Sequence, residues 1–314
     1  MSLEQQPPSQ PRPHPKVSVS MLTYNHEKFI AQAIESVLMQ KTNFDYELII
    51  GEDCSTDSTR AIVMDYQRRY PDKIRALLPE KNSGMFQNSL ATQRACVGQY
   101  TASLEGDDYW TSPNKLQKQV DFLELHHDCS LCFHGVEVRY DNGSPGHPYH
   151  RKQLVQTKYS LEDFLRGQIY IPTCSVMIRN SVFSGFPDWY YSGLSFGDKP
   201  LILLCAERGS LGFIDESLAV YRIHSGGVWS LGIGFQAPIE VQKKRFTANI
   251  QYYELADVHL AYKYHHIIRE QIARFCYELA WLYQKEGNWK KMREHLIKAY
   301  RAKQIGRASC RERV

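Results

Sequence analysis

Apolar runs alternate with amphipathic segments along the first third of the chain. Apolar positions between Phe29 and Leu38 recur at helical spacing, and further helices are predicted after residue 58 and around 88–97. Strands that alternate with helices in this way predict an α/β fold with a mainly parallel sheet flanked by helices. The predicted strands are residues 17–22, 46–50, 74–78 and 101–104.

Polar clusters follow three of these strands at the point where each strand ends. They comprise Thr23 to Asn25, Asp53, and Glu105 to Asp108. In parallel sheets, ligands bind beyond the carboxyl ends of the strands. We therefore expect the three clusters to converge on one crevice.

The third cluster has the chemistry of a divalent-cation site. Glu105, Asp107 and Asp108 directly follow an apolar strand and precede Tyr109 and Trp110. Mg²⁺ and Mn²⁺ favour oxygen ligands, and they commonly keep positions open for a substrate phosphate. The cluster thus favours a diphosphate substrate, although an acidic turn without a metal is an equal alternative for this motif alone.

Five segments in order resemble the family 2 glycosyltransferases, over roughly residues 17–230. This resemblance implies a GT-A (Rossmann-like) fold and inversion of the sugar's anomeric configuration. Two departures stand out, because the usual Asp-x-Asp is Glu105-x-Asp107 and the usual Glu-Asp pair is Gly197-Asp198. The segments are Val-Ser-Val-Ser-Met-Leu-Thr-Tyr-Asn-His at 17–26, Glu-Leu-Ile-Ile-Gly-Glu-Asp-Cys-Ser-Thr-Asp-Ser-Thr at 47–59, Leu-Glu-Gly-Asp-Asp-Tyr-Trp at 104–110, Phe-Gly-Asp-Lys-Pro-Leu at 196–201 and Tyr-Arg-Ile-His-Ser-Gly-Gly at 221–227.

The resemblance also implies roles for single residues. Asp53 would bind the uracil side of a UDP-sugar, Asp107 would hold a Mn²⁺ or Mg²⁺ ion on the two phosphates, and Glu105 would lie near the sugar or ribose. His224 would be a second metal ligand or a phosphate contact. The complete set of implied donor-binding residues is Thr23, Tyr24, Asn25, Glu27, Asp53, Glu105, Asp107 and Asp108.

Asp198 is the candidate catalytic base. Inversion by direct displacement requires the acceptor hydroxyl to lose its proton as it attacks, and a carboxylate within hydrogen-bond reach can take that proton. An alternative role, which does not exclude the first, is the N-cap of a helix from Pro200 to Glu207. Candidate acceptor-binding residues are Trp110, Trp189 and Tyr190. For Trp189 and Tyr190, core packing is an equal alternative.

The chain divides into four segments. Residues 1–16 form a Pro-rich lead that we expect to be disordered, and residues 17–230 would be the GT-A domain that the resemblance implies. A helical appendage at 235–304 contains one hairpin similar to a tetratricopeptide unit. Packing on the catalytic domain is favoured over a partner-binding surface, because one such unit does not stack alone. Residues 305–314 resemble a translated sequencing adapter, so we expect the natural protein to continue differently.

Composition limits the functional class. The 314 residues are 43% hydrophobic, and no apolar run approaches the roughly twenty residues that span a bilayer. We therefore expect a cytoplasmic enzyme with reduced cysteines, and the inner face of the membrane stays open as its location. A net charge of +4, without a basic stripe interleaved with aromatics, argues against nucleic acid as a partner.

These observations together predict an inverting transferase that moves a hexosyl or N-acetylhexosaminyl group. The donor would be a nucleotide-sugar, and the acceptor a glycan or lipid-linked molecule in surface polysaccharide synthesis. The alternative is a non-catalytic donor-binding scaffold that assembles through the helical tail, and a homodimer through this tail stays open. A dinucleotide oxidoreductase is disfavoured because no Gly-x-Gly-x-x-Gly follows the first strand.

Overall fold

The computed structural model describes residues 14–149, 154–183, 186–191, 194, 196–227 and 237–311. The expected disordered lead therefore lies largely outside the described residues, as do residues 312–314 of the adapter-like segment. Within the described part, a ten-stranded sheet is flanked by helices.

The strands and helices follow one another along the chain much as the apolar pattern predicts. The strands are β1 (Val17–Thr23), β2 (Tyr46–Glu52), β3 (Ile74–Leu77), β4 (Tyr100–Glu105), β5 (Tyr109–Trp110), β6 (Cys129–Tyr140), β7 (His147–Pro148), β8 (Lys158–Tyr159), β9 (Met177–Arg179) and β10 (Ser210–Ile223). The helices are α1 (Ile30–Leu38), α2 (Thr59–Arg69), α3 (Met85–Ala95), α4 (Lys115–Leu125), α5 (Leu161–Leu165), α6 (Asp198–Arg208), α7 (Ile239–His259), α8 (His265–Lys285) and α9 (Trp289–Arg311).

The sheet is mixed and mainly parallel, which confirms the predicted fold class. Its strand order is β3-β2-β1-β4-β9-β6-β10-β5, with β7 beside β6 and β8 beside β10. The four N-terminal strands β1 to β4 run parallel, whereas β9 is antiparallel to both β4 and β6. Nearly every residue of β1 and β2 is buried, so both faces of these two strands are covered.

Strand register brings the polar clusters to one edge of the sheet. Leu22, near the end of β1, lies opposite Gly51 of β2 and Glu105 of β4. At the far edge, β5 pairs with β10 through Ala219 and Trp110. The acidic loop between β4 and β5 therefore lies next to the end of β10, where His224 follows.

The C-terminal helices α7 to α9 pack on the preceding α/β part of the chain and share its hydrophobic core. Tyr253 of α7 donates a hydrogen bond to the Leu165 carbonyl (3.3 Å), and Gln271 of α8 donates one to the Arg166 carbonyl (3.1 Å). Buried residues of α7 to α9 belong to the same apolar cluster as residues of α5, α6, β6 and β10. Within the described part of the chain, every helix is too short or too polar to cross a membrane.

Candidate active site

A tight turn after β4 sets the position of the acidic side chains. The Gly106 amide donates to the Leu22 carbonyl (2.8 Å), and the Asp108 amide donates to the Glu105 carbonyl (3.1 Å). A Cβ atom at Gly106 would lie 2.6 Å from Thr23 Oγ1 and 3.0 Å from His26 Nδ1. Only glycine therefore allows the turn to approach β1 this closely.

Asp107 lies between two histidines from distant parts of the chain. Its Oδ2 atom is 3.0 Å from His224 Nε2 and 3.7 Å from His26 Nε2. Burial raises the pKa of Asp107, but the His224 hydrogen bond and the charges of both histidines outweigh this effect, so the pKa falls below its ordinary value. The carboxylate is therefore ionised and available to a cation. The His224 ring is buried and packs on Phe29 at 4.5 Å.

Arg222 fastens the acidic loop to β10. Its backbone amide donates to Asp108 Oδ1 (2.8 Å), and its guanidinium donates to the Asp107 carbonyl (2.6 Å) and to Gln32 (2.6 Å). The guanidinium also lies over the rings of Phe29 (4.6 Å) and Tyr109 (5.0 Å). Arg222 therefore fixes the backbone of Asp107 while leaving the Asp107 carboxylate directed at the histidines.

The other two carboxyl groups of the cluster, Glu105 and Asp108, are buried beside other acidic groups, and both have raised pKa values. Burial, together with the charges of Asp107 and Asp198, raises the pKa of Glu105 to about 8. Burial and the charges of Asp107 and Glu105 also hold the pKa of Asp108 well above its ordinary value. Among the described residues, Glu105 Oε2 accepts no hydrogen bond. A divalent cation fits this site, because Asp107 is ionised and because Asp107 and His224 offer suitable ligand atoms.

Asp53 organises the neighbouring loop. Its Oδ1 atom accepts hydrogen bonds from the amide (2.8 Å) and hydroxyl (2.7 Å) of Ser83, and its Oδ2 atom accepts one from the Gly84 amide (2.9 Å). The Asp53 carbonyl accepts a further bond from the Asn82 side chain (2.8 Å). Asp53 is thus buried at the carboxyl end of β2 with both oxygens engaged, and direct contact with a uracil ring stays a prediction.

The segment after β1 is attached to the loop that precedes α2. The Asn25 amide donates to Ser55 Oγ (3.0 Å), the Asn25 side chain accepts from the Thr56 amide (2.8 Å), and Glu27 accepts from the Ser58 amide (3.0 Å). These bonds give Asn25 and Glu27 a structural role, and their donor-binding role stays a prediction.

Thr23 and Tyr24 differ in how far they can reach a ligand. Thr23 is buried, and its hydroxyl has no hydrogen-bond partner among the described residues. Tyr24 is 42% exposed. The Tyr24 ring is therefore partly open to solvent, whereas Thr23 lies against Gly106, and the donor-binding roles of both residues stay predictions.

Asp198 begins α6 and is exposed. The prediction that it caps a helix starting at Pro200 is wrong, since Gly197 is the N-cap and no side chain caps this end. Asp198 instead lies in the first turn, where a negative charge interacts favourably with the helix dipole. Its charge contributes to the raised pKa of Glu105, which puts it within electrostatic reach of the acidic cluster.

Two of the three candidate acceptor residues are core residues, which corrects the sequence-based prediction. Trp110 is 1% exposed and donates its indole N–H to the Cys174 carbonyl (2.9 Å). Tyr190 is 2% exposed and stacks on Phe186 at 4.3 Å. Neither ring face is therefore open to a sugar. Trp189 is half-buried against His259, and its acceptor role stays a prediction.

Sequence reasoning assigned no role to His26 or Arg222, although both lie in the quoted motifs. Arg222 lies two residues before His224, and alternate residues of an extended chain point to the same side. This spacing indicates that the two side chains lie on one side of the chain. His26 gave no such signal, since its partner Asp107 is distant in sequence.

Comparison with known proteins identifies the family. Residues 18–184, more than half of the chain, match the family described as Glycosyl transferase family 2. The chain belongs to this family. The crystal structure of residues 1–349 of S. aureus TarS in complex with UDP-GlcNAc aligns with a TM-score of 0.55 at 17% identity, and the alignment covers 91% of each chain. This likeness confirms the glycosyltransferase fold.

Two bacterial proteins illustrate what this family 2 chain is similar to. The uncharacterized protein Rv1520 of Mycobacterium tuberculosis is 34% identical over 220 residues, which make up 68% of this chain and 60% of that protein. The present chain therefore spans about 60% of the length of this mycobacterial relative. WfgD of Escherichia coli, described as a UDP-Glc:alpha-D-GlcNAc-diphosphoundecaprenol beta-1,3-glucosyltransferase, is 31% identical over 130 residues, 41% of this chain and 49% of that protein.

Proposed function

We propose that this protein is an inverting glycosyltransferase that moves a sugar from a nucleotide-diphosphate donor, with a UDP-sugar favoured, to a glycan or lipid-linked acceptor in surface polysaccharide synthesis. The observation that carries the proposal is the Asp107 carboxylate, 3.0 Å from His224 at the carboxyl edge of a GT-A sheet. The description of WfgD, which names a UDP-sugar and a diphosphoundecaprenol-linked acceptor, supports this choice of substrates.

Asp107 and His224 would hold a Mn²⁺ or Mg²⁺ ion. When bound, the ion supplies positive charge that stabilises the departing nucleoside diphosphate. The ionised Asp107 carboxylate, 3.0 Å from the His224 imidazole, supports this assignment, because the two groups offer an oxygen and a nitrogen ligand at one point.

Asp198 would act as the base. The acceptor hydroxyl oxygen forms the new bond to the anomeric carbon as the bond from that carbon to the diphosphate oxygen breaks, and Asp198 takes the hydroxyl proton. The exposure of Asp198 beside the acidic cluster supports this role, since an acceptor must arrive from solvent. Glu105 is a weaker candidate, because burial keeps it protonated at neutral pH with a pKa of about 8.

The first test measures donor binding by calorimetry. UDP-, GDP- and dTDP-sugars are titrated with and without Mn²⁺ into the wild type, into Asp107→Ala, and into Asp121→Ala as a control at an exposed carboxylate on α4. We expect metal-dependent binding of one UDP-sugar, lost in Asp107→Ala and kept in Asp121→Ala. If no nucleotide-sugar binds, the transferase proposal fails, and so does the alternative of a scaffold that binds the donor.

The second test addresses the chemistry. With the donor identified, Asp198→Asn should bind it as the wild type does, while transfer to an acceptor falls by about a hundredfold or more. NMR of the product should show the anomeric configuration opposite to that of the donor. A retained configuration, or full activity of Asp198→Asn, would contradict the mechanism.

A further inference from the structure

We propose that His26 is a third protein ligand of the metal site, so that one carboxylate and two imidazoles hold the ion. This inference rests on the proposed function only in taking Asp107 and His224 as metal ligands. The side-chain ligand atoms of His26, Asp107 and His224 all lie within 4.8 Å of one another.

Backbone hydrogen bonds hold His26 in a position from which its ring faces Asp107. The His26 amide donates to Thr59 Oγ1 (2.8 Å), and its carbonyl accepts from the amides of Phe29 and Ile30 (both 2.9 Å) at the start of α1. These three bonds fix the residue between the first two helices. The absence of a side chain at Gly106 leaves room for the ring, whose Nδ1 atom is 3.0 Å from the place that a Cβ atom would take.

The spacing of the three side chains suits a common ion. Two ligands that each lie about 2.1 Å from an ion are about 3 Å apart when adjacent and about 4.2 Å apart when opposite. The pair Asp107 and His224, at 3.0 Å, and the pair His26 and Asp107, at 3.7 Å, fall within this range. The remaining spacing, between the two histidines, is at most 4.8 Å, so only a small movement of the rings would bring it into this range.

The second imidazole has a consequence for metal choice. Imidazole nitrogen suits Mn²⁺, Co²⁺ and Zn²⁺ better than Mg²⁺, which favours oxygen ligands. A site with two nitrogens and one carboxylate should therefore discriminate against Mg²⁺ more strongly than a site with His224 alone. Three protein ligands would also leave positions open for two oxygens of a diphosphate.

The experiment counts nitrogen ligands directly and needs no transferase activity. Mn²⁺ is titrated into the wild type with and without UDP, and pulsed electron paramagnetic resonance then counts the ¹⁴N nuclei bound to the ion. We expect two nitrogens in the wild type and one in His26→Gln, with Mn²⁺ affinity reduced by about tenfold or more and the preference for Mn²⁺ over Mg²⁺ reduced with it. His127→Gln, at an exposed histidine beyond α4, is the matched control and should keep both nitrogens.

The outcomes separate this inference from the proposed function. One nitrogen in the wild type, or two in His26→Gln, would overturn the role of His26 while leaving Asp107 and His224 as ligands. A wild type that binds no Mn²⁺ with or without UDP would overturn both the inference and the metal site. Two nitrogens together with failure to bind any nucleotide-sugar would support the inference and refute the proposed donor.

Discussion

Lys115 allows a direct test of how burial controls the charge of a side chain in the core. This first residue of α4 is fully buried, and its ammonium nitrogen lies 3.8 Å from the centre of the Trp110 ring. Among the described residues, it has no hydrogen-bond partner. Burial lowers the pKa of Lys115 from 10.5 to about 7, although the neighbouring thiols of Cys132 and Cys174 oppose this shift.

The lowered pKa makes stability depend on pH in a defined direction. Between about pH 7 and pH 10.5 the unfolded chain binds a proton at Lys115 that the folded chain does not hold, so folding stability rises with pH. The shift corresponds to a cost of about 4 kcal/mol at about pH 7.5 and about 2 kcal/mol at about pH 9. Lys115→Met has similar length and removes the cost, so it should be more stable by up to these amounts.

Urea unfolding followed by circular dichroism at the two pH values measures the effect. The gain of Lys115→Met over the wild type should shrink by about 2 kcal/mol between about pH 7.5 and about pH 9, whereas any difference in packing is the same at both. Lys290→Met, at an exposed position of α9, should show no such change. A gain that stays constant with pH, or a variant that is less stable at the lower pH, would refute the argument.

Three further predictions concern the acidic loop. Burial raises the pKa of Glu105 from 4.5 to about 8. The folding stability that Glu105 contributes is therefore present below about pH 4.5 and is lost as pH rises through about 8. In urea unfolding, the free energy of unfolding of Glu105→Gln should rise relative to that of the wild type over this pH range. Gly106→Ala puts a Cβ atom 2.6 Å from Thr23 Oγ1, which should displace the loop and weaken Mn²⁺ binding by about tenfold in calorimetry, with the circular dichroism spectrum unchanged. Arg222→Lys loses the planar fork that reaches the Asp107 carbonyl and should cost about 1–3 kcal/mol of unfolding free energy; unchanged stability would contradict its fastening role.

Much of the fold follows from local sequence. The strands β1 and β2 are short segments rich in apolar residues, and α1 has apolar residues at helical spacing, so the hydrophobic pattern alone predicts each of them. Parallel strands end at the same edge of a sheet, and for this reason the sequence also predicted that the clusters at Asp53 and Glu105 to Asp108 would meet.

The sequence did not predict which polar side chains would be hydrogen-bonded within the protein, or which aromatic side chains would be buried in its core. Asp53 engages Ser83 and Gly84 across a long stretch of chain, while Trp110 and Tyr190 are buried in the core. A residue's type sets what it can bind, but its neighbours from other elements decide whether its atoms are already paired or covered.

The sequence by itself determined the class of fold, the order of its elements and the family motifs, because these depend on periodicity and on contiguous residues. Only the tertiary structure decided that His26, Asp107 and His224 form one cluster and that Lys115 is enclosed beside Trp110. These contacts join residues from separate strands and loops, and their geometry depends on strand register and on how closely Gly106 lets two loops approach. Distance and burial are properties of the folded chain, and the pKa values of the site depend on both.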